Sequence, residues 1–432
     1  MFLLPRFTEI LQSLSSDSST SSSAPAIKRY LVAYSGGLDS HLLLHLCARA
    51  SELPVRAVHI HHGLQNQADH WSVHCAEVCA ALNVPFKTIH VDARKNPGES
   101  PEETARKVRY RALKSELQAG DCLLTAHHQD DQSETVLLQL FRGAGVAGLA
   151  AMPLMHSADH AFHARPLLSF SRQEIRDYAN EIGLQWIEDP SNTDTDFDRN
   201  LLRQNIIPVI KKRWPQLGDS LSKVASQQQD VLEIIEAMAA IDLSAIISPP
   251  HHSLDITGLT ALSRARQLNV LRYWLLRYAD DAPTANVLHQ IIRTVLPAAA
   301  DARPEVCWGQ SEIRRYQGQL YCLSRSEHDP STVLTWNPGE KLVLANLGLE
   351  LLAGQGYLQG LKPDLLDKTL TVRFRQGGEK IRPAGRKGTH SLKKLMQARA
   401  IPSWERDRIP LIYLDDELVC VYGYWVAEGY QR

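Results

Sequence analysis

The stretch LVAYSGGLDSHLLLHL, residues 31–46, limits the fold more than any other part of the chain. A short apolar run leads into a glycine pair bracketed by serine and aspartate, and a leucine-rich run follows. That order predicts a strand, a tight loop and a helix entering a parallel sheet, the setting in which proteins seat phosphate at a helix N-terminus. The lysine of a Walker A loop is missing. The alternation continues downstream, with strands expected at about 30–34, 55–61, 86–91 and 121–126 and helices at about 39–49, 68–82, 101–118 and 130–142. This rhythm predicts an α/β fold, a doubly wound parallel sheet.

The chain has 432 residues, too many for one core at about 100–200 residues per domain. Residues 13–23 are serine-rich and read as a tether without packed structure, so 1–27 form an N-terminal segment and the fold is expected to start near Lys28. The sheet domain is expected at 28–215, with capping boxes opening helices at Ser100–Glu103 and at Ser171–Glu174. VLEIIEAM and LNVLRYWLLRYA carry apolar residues at helical spacing and predict a small helical domain at 216–303. A β-rich connecting region is expected at 304–360, and a mixed, mostly β domain at 361–432 with one helix near 391–398.

The hydrophobic fraction of 44% and charged fraction of 22% are those of an ordinary soluble protein. No apolar run approaches the ~18 residues of a membrane span, and MFLLPRF lacks the basic start of a signal peptide. A cytoplasmic protein with no membrane partner is expected. The seven cysteines form no CxxC pair. Cys75 and Cys79 follow helical spacing with Trp71, Val78 and Leu82 and read as buried core thiols. The net charge of −1 gives no global sign of nucleic-acid binding. Local patches do: residues 371–400 hold nine basic side chains against the single acid Glu379. A smaller basic group, Arg199, Arg203, Lys211, Lys212 and Arg213, lies mid-chain.

Within the loop, Gly36 and Gly37 let the backbone turn and bring N–H groups to an anion, Ser35 and Ser40 add hydroxyl donors, and the helix dipole favours negative charge. This suits a leaving pyrophosphate. Asp39 would repel phosphate unless a divalent cation lay between them, so it implies magnesium. A plain glycine turn with Asp39 or Ser40 as helix cap is the alternative.

SGGLDS, residues 35–40, resembles the pyrophosphate loop of the N-type ATP pyrophosphatases, the PP-loop family, which split ATP between its α and β phosphates to adenylate an oxygen. Across the chain, the order of AVHIHHGL, ARKVRYRAL, TAHHQDDQSET, DPSNTDTDFDRNLLRQNIIP and the basic C-terminal region is similar to the bacterial tRNA(Ile)-lysidine synthetase branch of that family. The resemblance implies ATP and Mg2+ as cofactors, a CAU-anticodon tRNA(Ile) and free L-lysine as partners, and attack of the lysine amine on an adenylated wobble cytidine. It also implies that loop residues Ser35, Gly36, Gly37, Leu38, Asp39 and Ser40 hold ATP, with Asp39 on magnesium, and that the helical domain recognises tRNA. The oligomeric state, a homodimer included, stays open.

Arg109 shares a helix face with Ala105, Val108 and Ala112, where a guanidinium needs an anion. A carboxylate at the strand ends or the α-phosphate of ATP would serve, and the resemblance favours phosphate. Glu134 shares a face with Leu137, Leu138 and Phe141 and is expected to point inward, with Asp131 one turn before it. Acids in a first helical turn commonly complement the dipole, but Asp130, Asp131 and Glu134 also follow a strand's carboxyl end, where open sheets bind ligands. The resemblance places Asp131 and Glu134 in the active site, to orient the lysine amine or accept its proton. Which acid does which is open.

His59, His61 and His62 close the second strand without the companions of a metal site, so contact with adenine or ribose, at His61, or strand-end packing is expected. His127 and His128 similarly close the fourth strand. Arg199, Asn200 and Arg203 are either a solvated helix face or, by resemblance, the lining of the anticodon cleft. Arg382, Arg386, Lys393 and Lys394 are expected to grip tRNA. A sulfur-inserting tRNA enzyme would need a persulfide cysteine or a cysteine-held cluster, and an amidotransferase a glutaminase domain; neither pattern is found. A nucleotide-sensing RNA-binding module is the remaining rival, and assay of AMP and pyrophosphate release separates it.

Overall fold

The computed structural model describes residues 3–20, 26–61, 68–92, 101–158, 160–188, 198–249, 252–299, 302, 304–325, 328–352, 358, 360–365 and 367–432. The expected capping box at Ser100, the third histidine His62, residues 21–23 of the serine-rich stretch and the polar turn 189–197 lie outside the described residues. The chain divides into two compact units, Met1–Ile235 and Glu236–Arg432. No described helix is long and apolar enough to cross a membrane.

In the first unit, β1 (Arg29–Ala33), β2 (Val55–His61), β3 (Phe86–His90), β4 (Asp121–Leu124), β5 (Met155–Ala158) and β6 (Ala161–Ala164) form one sheet in the order β3-β2-β1-β4-β6-β5. All neighbours run parallel except β5, which lies antiparallel on the β6 edge. Leu31 and Val32 on β1 and Leu123 and Leu124 on β4 are buried, as expected of central strands covered on both faces. The helices of this unit are α1 (Leu3–Thr20), α2 (Leu38–Ala50), α3 (Ala68–Ala81), α4 (Pro101–Ser115), α5 (Gln129–Phe141), α6 (Val146–Leu149), α7 (Arg172–Glu181), α8 (Asp198–Leu201) and α9 (Ile207–Arg213). α10 (Leu217–Ile246) follows them.

β1 pairs with both β2 and β4, so the chain winds one way through β2 and β3 and the other way through β4 and β6. This is a topological switch point, and it opens a crevice outside the carboxyl ends of β1 and β4. α2 and α5 both start at that crevice. The acids in their first turns, Asp39 on α2 and Asp130 and Asp131 on α5, are thereby brought to one place.

The serine-rich tether is corrected over residues 13–20, where α1 continues. Leu3, Phe7, Leu11 and Leu14 recur every three or four residues and enter the same core as α2. The hydroxyls of Ser13, Ser15 and Ser16 donate back to the carbonyls of Ile10, Leu11 and Ser13. Burial of the apolar stripe outweighs the weak helix propensity of serine. The fold therefore begins near Leu3, ahead of Lys28. Cys75 and Cys79 lie in this core as expected.

In the second unit, α11 (Ile256–Ala261), α12 (Arg264–Tyr278) and α13 (Ala285–Gln290) pack on a sheet ordered β7-β8-β11-β10-β9, whose strands are Ile247–Ser248, Ser253–Asp255, Glu305–Trp308, Ser311–Tyr316 and Gln319–Ser324 in chain order. Trp274 and Ile291 share one core with Val306, Ile313 and Leu320. The boundary expected at 303/304 falls inside this core. A second antiparallel sheet comprises β12 (Leu334–Trp336), β15 (Leu370–Arg373), β18 (Leu411–Leu414), β19 (Glu417–Val421) and β20 (Trp425–Val426). Two short ribbons, β13 (Leu342–Leu344) with β14 (Leu349–Leu351) and β16 (Lys380–Ile381) with β17 (His390–Ser391), accompany it, along with α14 (Leu392–Ala398) and α15 (Ser403–Arg406).

Candidate active site

The loop between β1 and α2 is held by its own hydroxyls. Ser40 Oγ donates to the Gly37 carbonyl at 3.1 Å, accepts from the Ser35 N–H at 3.1 Å and lies 2.9 Å from Ser35 Oγ. Gly37 is the N-cap of α2, leaving Leu38 and Asp39 in its first turn. Gly36 has φ +89°, and a Cβ there would lie 2.8 Å from Ile187 Cδ1, so only glycine fits. The Ile187 N–H donates to the Gly36 carbonyl at 3.0 Å, which pins the loop from outside.

Asp39 Oδ1 is buried and accepts no hydrogen bond. Its other oxygen lies 3.7 Å from His128 Nε2, and the same nitrogen is 3.4 Å from Asp131 Oδ2. His128 is the N-cap of α5: its Nδ1 accepts from the Asp131 N–H, and Asp131 Oδ2 accepts from the His128 N–H at 3.0 Å. This reciprocal cap places one imidazole between two carboxylates from different helices. Burial pushes the Asp39 carboxyl above its ordinary value, against the pull of His128. Asp131 is also penalised by burial, yet His128, His127 and Arg203 together hold it below the ordinary carboxylate value. An unbonded buried carboxylate oxygen beside a phosphate loop fits a hard divalent cation.

Glu134 is fully buried, as expected, and Arg203 grips it with two donors, Nε to Oε1 at 2.7 Å and Nη2 to Oε2 at 3.0 Å. Arg203 Nη2 also reaches Asp131 Oδ1 at 3.0 Å. Burial raises the Glu134 carboxyl above its ordinary value, and the Arg203 bonds pull it back. Arg203 stands in a π-helical turn, Leu202–Ile206, just before Pro208. Proline has no N–H to give the preceding turn and its ring crowds the carbonyl four residues back, so the helix widens there. Asp130 takes a different part: it accepts from Lys211 Nζ at 2.6 Å and from the Arg172 N–H at 2.9 Å, tying α5 to α9 and α7.

The remaining sequence candidates are more dispersed. His61 is buried at the end of β2 with its ring 4.6 Å from that of His90. His59 is a structural residue, its Nδ1 lying 3.0 Å from the Tyr34 carbonyl. Arg109 is half-buried on α4, its guanidinium 5.6 Å from the Tyr110 ring centre. Phe141, placed on the inward face by periodicity, is 65% exposed because α5 has passed the end of the core there. Arg199 and Asn200 are half-buried, and Arg199 Nη2 donates to Thr135 Oγ1 at 3.3 Å. Arg203 is an ion-pairing residue of the acid cluster, so a solvated face is excluded for it.

In the second unit, Arg386, Lys387, Lys393, Lys394 and Arg399 are exposed around the β16–β17 ribbon and α14. Arg373, Arg375 and Arg382 pair with Asp416, Asp407 and Glu428, acids distant in sequence. The patch is thus less concentrated than its composition. From sequence, His128 is placed only as a strand-end residue and Lys211 only in the mid-chain basic group; the three-residue spacing from His128 to Asp131 was the available signal for the capping role of the first.

The PP-loop domain model matches residues 8–210, the TilS substrate binding domain model residues 254–321, and the TilS substrate C-terminal domain model residues 370–432. The chain is 42% identical over 407 residues to the tRNA(Ile)-lysidine synthase of Coxiella burnetii, covering 93% of this chain and 90% of that protein. The enzyme of the same name from Methylococcus capsulatus is 40% identical, with 93% of each chain covered. That of Pseudomonas putida is 39% identical, with 91% of each covered. With its ATP-binding loop at the switch point and all three domain models in order, the chain belongs to the family of tRNA(Ile)-lysidine synthases, ATP-dependent ligases that modify tRNA.

Proposed function

We propose that this chain converts the wobble cytidine of a CAU-anticodon isoleucine tRNA to lysidine, with both chemical steps at the β1–β4 crevice. In the first, the oxygen on carbon 2 of cytidine attacks the α-phosphorus of ATP and pyrophosphate leaves. In the second, the amine of free L-lysine attacks carbon 2, gives up a proton, and AMP departs with the oxygen. The observation that carries this reading is the meeting of Asp39, Asp131 and Glu134, from the starts of two helices, beside a loop shaped for pyrophosphate.

The loop residues Ser35–Ser40 supply N–H and hydroxyl groups to the leaving pyrophosphate. Asp39 would hold Mg2+, which supplies neutralising charge to the phosphates. Arg109 faces the α-phosphate and His61 the nucleoside. Asp131, held ionised by its neighbours, and Glu134 orient the amine and receive its proton. Arg199 and Asn200 meet the anticodon loop, while the donors of Arg203 fix the two acids. Incubation with ATP, labelled lysine and a CAU tRNA transcript should place label in the tRNA. Asp131→Ala and Glu134→Ala should each raise the lysine Michaelis constant or slow transfer by more than about tenfold. Absence of label rejects the reaction; unchanged lysine kinetics in both variants moves the lysine site elsewhere.

The exposed cations of residues 361–432 would grip tRNA through phosphate. Because Arg382 is paired with Glu428, most of the effect is expected at Arg386, Lys393 and Lys394. Reversing those three charges should raise the tRNA Michaelis constant, spare ATP and lysine, and flatten the salt dependence by about one unit of slope per lost contact. An unaltered salt slope would remove the patch from the tRNA site.

A further inference from the structure

Arg165 follows β6 directly, at the carboxyl edge of the sheet, and is only 7% exposed. Its Nη1 donates to the Pro153 carbonyl at 2.9 Å and its Nη2 lies 3.5 Å from His163 Nδ1. Its Nε is buried without a hydrogen-bond partner, and no carboxylate among the described residues pairs with it. A buried guanidinium left without an anion is costly, since desolvation is not repaid by charge pairing. Two other cations of the crevice are already matched: Arg203 to Glu134 and Asp131, and Lys211 to Asp130.

The surroundings of Arg165 sharpen the mismatch. Thr125 Oγ1 lies 2.9 Å from both His163 Nε2 and His127 Nδ1, so a hydrogen-bonded chain runs from Arg165 through His163 and Thr125 to His127. Burial and then the charges of Arg165 and its neighbours push the His163 imidazole down to about 2, and burial takes His127 down to about 3 against the pull of Asp131. Both rings are neutral near pH 7. Arg106, on α4, reaches the same region, with its guanidinium 5.1 Å from the centre of the Tyr110 ring, itself 5.8 Å from His163. The end of β6 is thus electropositive and largely buried, and its neutral histidines do not offset the Arg165 charge.

We propose that Arg165 receives the α-carboxylate of the free amino-acid substrate. The sheet order β1-β4-β6 sets the distances. β4, which leads into the helix carrying Asp131 and Glu134, is the direct neighbour of β6, whereas β1, which leads into the phosphate loop, lies one strand further away at about 4.8 Å per strand. An extended lysine joins an amine to a carboxylate across that shorter gap. The acids then take the cationic end of the substrate and Arg165 the anionic end, and a diamine lacking the carboxylate is discriminated against. A phosphate of ATP or tRNA is the competing source of an anion.

This inference rests on lysine being the nucleophile of the proposed reaction. The test compares L-lysine, lysinamide and 1,5-diaminopentane as acceptors, with AMP formation and ATP Michaelis constant measured alongside. The unmodified enzyme should favour lysine over both analogues by on the order of 10- to 100-fold in kcat/KM, the scale of a charge-assisted contact. In Arg165→Gln that preference should collapse toward unity while the ATP Michaelis constant holds, and Arg165→Lys should recover part of it. Retained preference in Arg165→Gln, or raised ATP or tRNA Michaelis constants with the preference intact, overturns the assignment and points to phosphate. Should Arg165→Gln fail to fold, equal use of lysine and lysinamide by the unmodified enzyme overturns it as well. Failure of lysine itself to react marks instead the failure of the underlying reading.

Discussion

Replacing Arg203 by alanine should destabilise the first unit by about 3–5 kcal/mol, because it strands Glu134 and Asp131 as buried carboxylates without their guanidinium. The deficit carries a pH signature. Burial already raises the Glu134 carboxyl, and loss of Arg203 raises it further. A carboxyl with a raised folded-state pKa favours the native state while protonated and loses that advantage as pH rises through the folded value. The variant should therefore be weakest near pH 8 and recover as pH falls toward the ordinary glutamate value of 4.5. Urea unfolding at several pH values measures both features. A midpoint equal to that of the unmodified protein at pH 8 would show that the cluster does not depend on Arg203.

Asp39→Asn is expected to act in the opposite sense on stability and far more strongly on chemistry. The side chain keeps its shape, and a charge that burial already disfavours is removed, so the melting temperature should hold or rise. AMP and pyrophosphate formation should fall by about 10²–10³-fold or more, the scale of losing one preorganised electrostatic group. Affinity for tRNA should stay near that of the unmodified enzyme. Normal AMP production would remove Asp39 from the reaction. A lowered melting temperature would assign it a structural role, in keeping with its position in the first turn of α2.

The two substitutions separate what is local from what is assembled. SGGLDS announces a phosphate loop because its glycines, serines and aspartate act within one turn, and Gly36 is required where φ is +89°. The parallel sheet was equally readable, since burial of β1 and β4 on both faces demands continuous apolar strands and α2 demands a leucine-rich run. Glu134 was predicted to point inward from helical period alone, and it does. Local pattern misled where burial overrode propensity. Serines 13, 15 and 16 belong to α1 because Leu11 and Leu14 share a core with α2, which no window around the serines contains.

Charge partnership lay beyond the sequence. From sequence, Arg203, one turn from Arg199, is a solvated cation or a lining of the anticodon cleft, and only the fold carries it to acids on α5, 69 and 72 residues earlier in the chain. Arg382 counted toward a basic patch until the fold brought Glu428 beside it. Arg165 carried no signal at all, because what distinguishes it is the absence of an anion in a buried place, and burial is a property of the packed molecule. The sequence by itself determined the four strands β1–β4, the glycine-serine loop and the residue types available for chemistry, all set by interactions within a few residues, whereas β5 and β6 emerged only in the fold. The tertiary structure decided which charges neutralise one another and which do not, because electrostatic energy depends on distance and desolvation, and both are set by contacts between segments far apart in the chain.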